Sequence, residues 1–473
     1  MKDPLVAAFE SLCARRPEQP LVLSAGRASL SVSGLDSLAR AIAERPSVRA
    51  LGAGTLVGVS SPGGASFLAC VLALRRAGAA VLLLDTSGPA SSVKRTARAL
   101  GAKALLGCDD RMPESAGAFR FEPLVPDPKA PPLRPKTAFL KTTSGSSGRP
   151  RAVAVSCEAM LADEEALART MGIVESDRIV AAVPLSHSSG FASVALPALV
   201  RGTALVLPDE SGPLSPIAAA REACATVFPT APAYLGALLR MSRPPSWPSS
   251  LRLVISAGAP LPPETAVRFR ERTGRRVHVF YGASECGGIC YDREGGAGER
   301  GTVGAPVAGV RITLEPLEHG RGGDDEGLVV VASAAAGEGY VPEPEPERLG
   351  GGRFRTSDVG RLKNGELQLL RRADTVINVK GKKVDPAEIE ATLSALRGVE
   401  EVVAVGVSDP RTGASTVRVV IACRPGRLTR EEVLRFCRSE LAEHKVPRSI
   451  RLVPEIPRTA RGKIDRGTLA GRS

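Results

Sequence analysis

The residues with the clearest chemical potential form one polar loop, Thr142-Thr143-Ser144-Gly145-Ser146-Ser147-Gly148-Arg149-Pro150-Arg151. Glycines let backbone amides turn toward an anion, hydroxyl groups add donors, and the Arg151 guanidinium adds a charge-assisted contact. The loop directly follows a strand-like run at 137–141. This chemistry suits a polyphosphate, although a flexible Gly/Ser linker has the same composition. The loop is not a Walker loop, and no complete dinucleotide fingerprint follows a strand.

The segments around this loop indicate how it is held. From Thr55 to about Tyr281, short β-branched or leucine-rich runs alternate with longer helical patterns. Examples are the strand-like runs 81–84 and 179–183 and the helix-like runs 91–100 and 157–171. This alternation predicts mostly parallel sheets covered by helices, so we expect an α/β fold with a large N-terminal body.

The sequence changes character twice after this body. From about 301 to 373, dense glycine and proline predict a small β-rich unit of short antiparallel strands. The pattern beyond Asp374 predicts a compact α+β domain with helices at 386–396 and 430–444 and strands at 402–407, 417–422 and 450–453. Thr429 and Glu432 form a predicted capping box. We therefore expect a large domain at 1–373, including the β-rich unit, and a small domain at 374–473.

Composition and charge narrow the function classes. The 473 residues are 43% hydrophobic and 24% charged, as in a globular protein. The net charge of +13 is dispersed, only 3% of residues are aromatic, and no nucleic-acid-binding motif is visible. We therefore expect no nucleic-acid partner, because such partners need clustered positive charge. Small molecules that carry phosphate, or an acidic carrier protein, explain the excess of positive charge better than a nucleic acid does.

Cysteine usage and the N-terminal segment predict a reducing cytoplasm. The nine cysteines lack a disulfide framework, and Cys286 and Cys290 with His278 offer too few ligands for a structural zinc site. Buried free thiols are the favoured interpretation. Residues 1–20 lack an apolar core of signal-peptide length, and two arginines interrupt the apolar stretch 67–84. We therefore expect no membrane span.

Four further stretches complete a pattern of motifs. They are Tyr281-Gly282-Ala283-Ser284-Glu285, Phe354-Arg355-Thr356-Ser357-Asp358, Arg372-Ala373-Asp374 with the following Asn378-Val379-Lys380-Gly381-Lys382, and Pro457-Arg458-Thr459-Ala460-Arg461-Gly462-Lys463-Ile464-Asp465. Together with the phosphate loop, and in the same order, they resemble the signatures of the adenylate-forming superfamily. That superfamily includes acyl- and aryl-CoA synthetases, adenylation domains of nonribosomal peptide synthetases and luciferases. The pattern is most similar to that of acyl-CoA synthetases.

The resemblance implies where ATP and Mg²⁺ bind. The phosphates are expected on Thr143, Ser144, Gly145, Ser146, Ser147, Gly148 and Arg151. The rest of the nucleotide is expected at Gly258, Ala259, Pro260, Tyr281, Gly282, Ser284, Asp358 and Arg372, with Tyr281 against adenine, Ser284 near the α-phosphate and Asp358 on the ribose hydroxyls. Glu285 is the expected ligand of Mg²⁺, a hard ion that prefers oxygen.

The resemblance also implies a set of catalytic residues and a hinge for movement of the C-terminal domain. Lys463, Glu285, Ser284 and His187 are the expected catalytic set, in which Lys463 bridges the carboxylate and the α-phosphate as negative charge develops. The resemblance implies that the C-terminal domain swings about the hinge residue Asp374, so that Gly381 faces a thiol tunnel in the second step. His187 is expected to be a gate or wall of the acyl tunnel, and simple packing is the alternative.

The expected reaction forms an acyl-adenylate and then passes the acyl group to a thiol. Apolar stretches at 191–199, 227–235 and 255–260 favour a fatty or aryl acid. The resemblance implies that adenylation domains for amino acids hold the amino group with an aspartate near the His187 segment. No acidic residue lies at 184–200, so an amino acid is disfavoured. Coenzyme A is the expected acceptor, with Lys380, Lys382 and Lys383 available for its phosphates, although a solvated basic turn explains them equally well. An acyl carrier protein is the alternative acceptor.

Three positions depart from the pattern of the superfamily. Arg151 replaces the lysine of the phosphate loop, and Ser357 and Arg371 each replace a glycine. Arginine is planar and larger than lysine, so loop geometry or nucleotide affinity is expected to differ. A nucleotide-binding homologue without full catalysis therefore stays open as a third interpretation.

Overall fold

The computed structural model describes residues 2–143, 150–209, 212–317, 325–373, 377–379, 382–384, 386–408, 415–441, 443–459 and 464–471. The chain divides into two compact units. The first comprises Met1–Glu315, Val329–Thr356 and Arg361–Gln368, and the second comprises Pro316–Leu328, Ser357–Gly360 and Leu369–Ser473. The predicted domain boundary at Asp374 lies outside the described residues and stays a prediction.

Strands and helices alternate along the chain up to the β-rich region. The first elements are α1 (Pro4–Arg15), β1 (Pro20–Ser24), β2 (Leu30–Ser31), α2 (Val32–Ala43), α3 (Pro46–Arg49), β3 (Leu56–Val59), α4 (Gly64–Arg76), β4 (Ala80–Leu83), α5 (Ala90–Ala99), β5 (Ala104–Gly107), β6 (Arg120–Pro123) and β7 (Phe139–Thr143). After the phosphate loop come β8 (Arg151–Val155), α6 (Cys157–Met171), β9 (Arg178–Val180), α7 (Ser188–Gly190), α8 (Leu196–Arg201), β10 (Ala204–Leu207), α9 (Ser215–Glu222), β11 (Val227–Thr230), α10 (Pro232–Arg240), β12 (Leu253–Ser256), α11 (Pro263–Thr273), β13 (His278–Ala283), β14 (Gly287–Tyr291) and α12 (Ala297–Arg300).

The remaining elements are shorter and richer in strands. They begin with β15 (Ala305–Pro306), β16 (Arg311–Glu315), β17 (Glu326–Ala332), β18 (Gly339–Val341), β19 (Leu349–Gly350), β20 (Arg353–Lys363) and β21 (Glu366–Arg372). They end with β22 (Ile377–Val379), β23 (Lys382–Val384), α13 (Pro386–Ser394), β24 (Glu401–Ser408), β25 (Ser415–Ala422), α14 (Arg430–Glu440), β26 (Ser449–Val453) and α15 (Arg466–Ala470).

Two large sheets organise the first unit. One has the strand order β18-β8-β7-β4-β3-β5-β6, and its neighbours β7, β4, β3 and β5 are parallel. The other has the order β15-β14-β13-β12-β11-β9-β10-β1-β2, in which the six strands from β13 to β1 are parallel. The predicted α/β class with mostly parallel sheets is therefore confirmed. Parallel strands direct their carboxyl ends to one edge, where α/β proteins usually bind ligands.

Helices α4 and α6 show how the sequence produces the packing around these sheets. Every residue from Gly64 to Leu74 in α4 is buried, as expected for a helix that is apolar all round. Helix α6 has the predicted bounds, because the Ser156 hydroxyl accepts the Ala159 N–H at its start and Gly172 adopts a left-handed conformation at its end. A π-helical stretch, Phe191–Ala195, joins α7 to α8.

A five-stranded sheet confirms the predicted β-rich region. Strands β16, β17, β20 and β19 follow one another in this sheet, and β21 pairs with β20.

The C-terminal part of the second unit has the predicted α+β pattern. Strand β24 pairs antiparallel with β25, which pairs parallel with β26. Alternate residues of β24 enter two apolar clusters: Val402 and Ala404 pack with α13 and α14, whereas Val403 and Val405 pack with Ile456 and Leu469. Period-two alternation therefore buries both faces of this sheet.

The predicted element bounds differ from the structure at a few ends. Strand β7 begins at Phe139 rather than at 137, because its pairing with β4 begins at that residue. Strand β9 ends at Val180, where its register with β10 ends. Helix α14 ends at Glu440 because Leu441 is extended and buried in the cluster of α13 and α14. The capping box of Thr429 and Glu432 is confirmed.

The burial of Cys286 and Cys290 agrees with the prediction of buried free thiols at this pair. All nine cysteines are free, and Cys286 and Cys290 are fully buried. Burial raises the pKa of the Cys290 thiol to about 12. Among the described residues, no helix is both long enough and apolar enough to span a bilayer.

The N-cap of α6 provides a test of this fold. We expect Ser156→Ala to lower the free energy of unfolding by about 1 kcal/mol, since it leaves the Ala159 N–H without its acceptor. Urea unfolding can be followed by the fluorescence of Trp247, the only tryptophan, which packs edge-on against Phe228 and Phe269. Ser156→Asp is the control because it keeps an acceptor. An equal loss in both variants would contradict the capping role.

Candidate active site

The strands that flank the phosphate loop fix its position. Strands β7 and β8 pair antiparallel, and the last residue of β7, Thr143, lies opposite the first residue of β8, Arg151. The Thr143 hydroxyl donates to the Arg151 carbonyl over 3.4 Å. Next to it, Thr142 donates to the carbonyl of Leu83 at the end of β4 over 3.2 Å. The loop therefore leaves the sheet at the carboxyl edge of β4 and β7. Its residues Ser144, Gly145, Ser146, Ser147 and Gly148 lie outside the described residues, so their phosphate contacts stay predictions.

Arg151 makes two contacts that the sequence does not reveal. Its Nη2 donates to Oε1 of Glu345 over 2.5 Å, and its guanidinium lies 3.5 Å from the centre of the Tyr340 ring. Tyr340 reaches this place because β18 pairs with β8, in the register Tyr340 opposite Val153. A planar guanidinium stacks on an aromatic face better than an ammonium does, which makes arginine suitable here. The predicted contact of Arg151 with ATP phosphates stays a prediction.

Glu285 is held from two directions. The Tyr340 hydroxyl donates to Glu285 Oε1 over 3.0 Å, and the Glu285 carbonyl accepts the Gly337 N–H over 2.7 Å. Burial and the adjacent Glu285 carboxylate raise the pKa of Tyr340, so this hydroxyl remains a donor. Glu345, Arg151, Tyr340 and Glu285 thus form a continuous chain of side chains, which we call the Arg151–Tyr340 link.

The donor set around Glu285 fits Mg²⁺. Within the described ranges, no group of three or more His, Cys, Asp or Glu could enclose a metal ion. Mg²⁺ often binds through one or two carboxylates together with substrate phosphates and water, which a single well-positioned Glu285 can provide. The assignment of Glu285 as the ligand is a prediction with which this geometry agrees.

The other predicted nucleotide residues of the first unit follow neighbouring strands. Gly258, Ala259 and Pro260 are exposed just after β12, and Gly258 has a left-handed φ of +85°. Tyr281 and Gly282 lie in β13, which runs parallel to β12, and Ser284 follows in the turn before β14. The two groups therefore lie at the same edge of the nine-stranded sheet.

His187 contacts a residue that the sequence did not single out. Its Nε2 lies 3.2 Å from Oδ2 of Asp85, which follows β4. The other oxygen of Asp85 accepts the Ser87 hydroxyl over 2.6 Å and the Ser87 N–H over 3.0 Å. Asp85 thus orients the imidazole at the edge where the phosphate loop begins. The predicted role as a tunnel wall stays a prediction.

Asp358 and Arg372 belong to the second unit. Arg372 Nη1 lies 3.4 Å from Asp358 Oδ1, so the two predicted nucleotide residues are neighbours there. The neighbouring departure, Arg371, pairs with Glu326 over 2.9 Å, which gives its charge a structural partner. Lys463, Gly381 and Asp374 lie outside the described residues, and their roles stay predictions.

The sequence analysis missed Tyr340, Glu345, Asp85 and two buried charged residues, Lys141 and Asp163. Around Glu345 the sequence has only an acidic and proline-rich composition, which does not predict a contact with Arg151. A lysine within the apolar strand β7 was the one signal that could have been followed, because lysine is rarely buried without a partner.

Comparisons with known proteins identify the family of the chain. Residues 9–341 match the family described as AMP-binding enzyme, and residues 388–463 match the family described as AMP-binding enzyme C-terminal domain. The chain is 29% identical over 355 residues to a feruloyl-CoA synthase of an Amycolatopsis species, with 71% of this chain and 69% of that protein covered. It is 30% identical over 354 residues to a sulfoacetate–CoA ligase of Cupriavidus necator, with 72% and 68% covered.

Solved structures confirm the fold. ATP-bound MatB of Rhodopseudomonas palustris matches with a TM-score of 0.82 at 23% identity, covering 100% of this chain and 99% of that chain. The amide bond synthetase McbA of Marinactinospora thermotolerans matches with a TM-score of 0.80 at 25% identity, covering 99% of each chain. The chain belongs to the AMP-binding enzyme family and carries the C-terminal domain of that family as well.

Proposed function

We propose that this protein activates a fatty or aryl carboxylic acid with ATP and transfers the acyl group to coenzyme A. The observation that carries the proposal is the Arg151–Tyr340 link, which joins the strand after the phosphate loop to Glu285. Several relatives are named as CoA ligases, including the feruloyl and sulfoacetate enzymes and a long-chain fatty acid ligase of Bacillus subtilis. The predicted class, an AMP-forming acyl-CoA synthetase, is confirmed by these comparisons.

The first half-reaction joins the acid to the nucleotide. A carboxylate oxygen of the acid attacks the α-phosphorus of ATP, and pyrophosphate leaves as the bond between the α- and β-phosphates breaks. Glu285 would hold the magnesium ion, which when bound would offset the negative charge of the phosphates. Tyr340 keeps the Glu285 carboxylate in place through its hydroxyl, and Thr143 and Arg151 hold the two ends of the loop. These residues provide orientation before charge develops.

The second half-reaction transfers the acyl group. The thiol of coenzyme A attacks the carbonyl of the mixed anhydride, a thioester bond forms, and AMP leaves with the electron pair of the broken bond. We assign Lys463 to the first step, Gly381 to the thiol tunnel of the second, and Asp374 to the hinge between them. The match to the family's C-terminal domain covers residues 388–463, which include Lys463. The assignments of Gly381 and Asp374 rest on the resemblance of the motifs alone.

The proposal of a fatty or aryl acid depends on three apolar segments, and part of the apolar character of 191–199 comes from core packing. Phe191 is fully buried, and its ring centre lies 5.1 Å from that of Phe139 and 6.1 Å from that of Phe67. Core packing therefore explains much of the apolar character of 191–199. Relatives named for acids as different as ferulate, oxalate and long-chain fatty acids show how widely the acid varies in this family.

The acyl acceptor, the cellular location and the absence of a nucleic-acid partner are also matters of prediction. An acyl carrier protein is the alternative thiol, with the phosphate and acid chemistry unchanged. The cytoplasmic location and the absence of a nucleic-acid partner stay predictions of the sequence.

A substrate screen tests the function directly. We expect acid-dependent exchange of pyrophosphate into ATP with fatty or aryl acids, and a thioester only after coenzyme A is added. Exchange without a coenzyme A thioester, but with acylation of a carrier protein, would favour the alternative acceptor. An absence of exchange with every acid would instead support a homologue that binds nucleotide without catalysis.

Replacing Lys463 tests the division into two steps. We expect Lys463→Ala to slow adenylate formation by about 10²-fold or more, because a key donor to the transition state is lost. Thioester formation from supplied acyl-adenylate should persist. Lys129→Ala, which changes an exposed lysine, is the control and should leave both rates unchanged. Equal loss of both half-reactions in Lys463→Ala would contradict the assignment.

Removing one hydroxyl tests the Arg151–Tyr340 link. Tyr340→Phe keeps the ring beside Arg151 but removes the donor to Glu285, so we expect the KM for Mg-ATP to rise about tenfold, with a smaller change in kcat. Tyr291→Phe is the matched control, because the buried Tyr291 hydroxyl has no hydrogen-bond partner in the described part of the chain. An unchanged KM in Tyr340→Phe would show that the link does not position Glu285.

A further inference from the structure

His187 and Asp85 meet although 102 positions separate them in the chain. His187 Nε2 lies 3.2 Å from Asp85 Oδ2, and 18% of the His187 side chain and 21% of the Asp85 side chain are exposed. An ionised carboxylate accepts hydrogen bonds but has no hydrogen to donate, so the hydrogen of this contact belongs to the imidazole. The two half-reactions as described above use neither side chain.

The Asp85 carboxylate is held by its own turn. Its Oδ1 accepts the Ser87 hydroxyl over 2.6 Å and the Ser87 N–H over 3.0 Å. An aspartate that accepts from the backbone two residues ahead forms a common kind of turn, which fixes the direction of the side chain. The two oxygens therefore have separate tasks, because Oδ1 holds the turn and Oδ2 meets the imidazole.

Asp85 lies beside the start of the phosphate loop. Strand β4 ends at Leu83, which lies opposite Lys141 in the parallel neighbour β7. The Leu83 carbonyl accepts the Thr142 hydroxyl over 3.2 Å, one residue before the end of β7. Asp85 follows two residues after Leu83, so it leaves the sheet at the same edge as the loop. Its contact with His187 therefore places the imidazole at that edge.

The backbone of the His187 segment is fixed by close packing. The His187 N–H donates to the Pro184 carbonyl over 3.1 Å, and the His187 carbonyl accepts the Phe191 N–H over 2.8 Å. A Cβ at Gly190 would lie 2.1 Å from the Pro184 carbonyl oxygen, so this approach requires glycine. The main chain is thus set without Asp85. What the Asp85 contact adds is the orientation and the tautomer of the ring.

We propose that Asp85 is a positioning residue that holds His187 as a wall of the acid site, with the ring hydrogen on Nε2. In a neutral imidazole this tautomer leaves Nδ1 as an acceptor. A ring whose orientation is fixed in advance gives the carboxylic acid one position relative to the phosphate loop, and such placement accelerates a reaction between two bound groups. This inference rests on the proposed function, because the acid is the substrate of that function.

Asp127 shows what an aspartate does when it serves only its own turn. Its Oδ1 accepts the Lys129 N–H over 2.9 Å, with the same two-residue spacing as Asp85 and Ser87. A turn of this kind needs only the oxygen that faces its own backbone. Asp85 uses its second oxygen on a residue from another part of the fold. Asp127, which is exposed, is therefore the matched control.

The first test determines the tautomer of His187 in the free protein. Nitrogen NMR spectra of protein with isotope-labelled histidine, recorded in alkaline solution, report which ring nitrogen carries the hydrogen, and His187→Gln identifies the signal. We expect the hydrogen on Nε2 in the parent protein. In Asp85→Asn the amide oxygen must face the Ser87 N–H, which can only donate, so the amide NH2 faces the imidazole and should move the hydrogen to Nδ1. Asp127→Asn should leave the tautomer unchanged.

The second test is pyrophosphate exchange at varied concentrations of the fatty or aryl acid that the substrate screen identifies. We expect Asp85→Asn and Asp85→Ala to raise the KM for the acid about tenfold, which is the size of effect expected for the loss of one hydrogen bond to a charged group. The KM for Mg-ATP should stay that of the parent protein, because the contacts of the phosphate loop are unchanged. Asp127→Asn should keep both KM values.

Any of three results would overturn the inference. One is a neutral His187 ring that carries its hydrogen on Nδ1 in the parent protein. Another is an Asp85→Asn variant with the tautomer of Asp127→Asn. The third is a KM for Mg-ATP that rises as much as the KM for the acid, since Asp85 would then support the phosphate loop rather than the acid site.

The measurement on the parent protein needs no Asp85 variant, so it decides the inference should Asp85→Asn not fold. If the parent protein shows no pyrophosphate exchange with any acid, the proposed function fails. The tautomer of His187 then still decides whether Asp85 positions the ring.

Discussion

The pairing of β18 with β8 is the constraint on which the candidate site depends. It brings Tyr340 beside Arg151, and from there the tyrosine hydroxyl reaches Glu285. Without this backbone register, the strand after the phosphate loop and the turn after β13 would have no side-chain connection through Tyr340. The site is therefore built from two sheets whose strand edges are tied together by one aromatic residue.

The contacts of Arg151 explain why an arginine suits this position. Arg151 is stacked on Tyr340 and paired with Glu345, which uses both the planar shape and the charge of the guanidinium. The departure from lysine at this position is therefore compatible with an intact site rather than a sign of lost function. Lys141 and Asp163 are also buried in the same unit.

Local signals in the sequence were enough to define several elements closely. Helix α6 has the predicted bounds because Ser156 and Gly172 mark its ends by their own chemistry. The capping box at Thr429 was visible for the same reason, since it needs only residues three positions apart. Strand ends were less accurate, as at β7 and β9, because a strand ends where its partner ends and that partner is distant in sequence.

The sequence by itself determined the α/β class, the family and the order of the motifs, because glycine-rich turns and spaced polar residues are local features. The tertiary structure alone decided which side chains support those motifs. Tyr340, Glu345, Asp85 and Asp163 carry no motif, and each acts through a contact with a residue far away in the chain. Burial and strand register create such contacts, and neither quantity is encoded in the spacing of neighbouring residues.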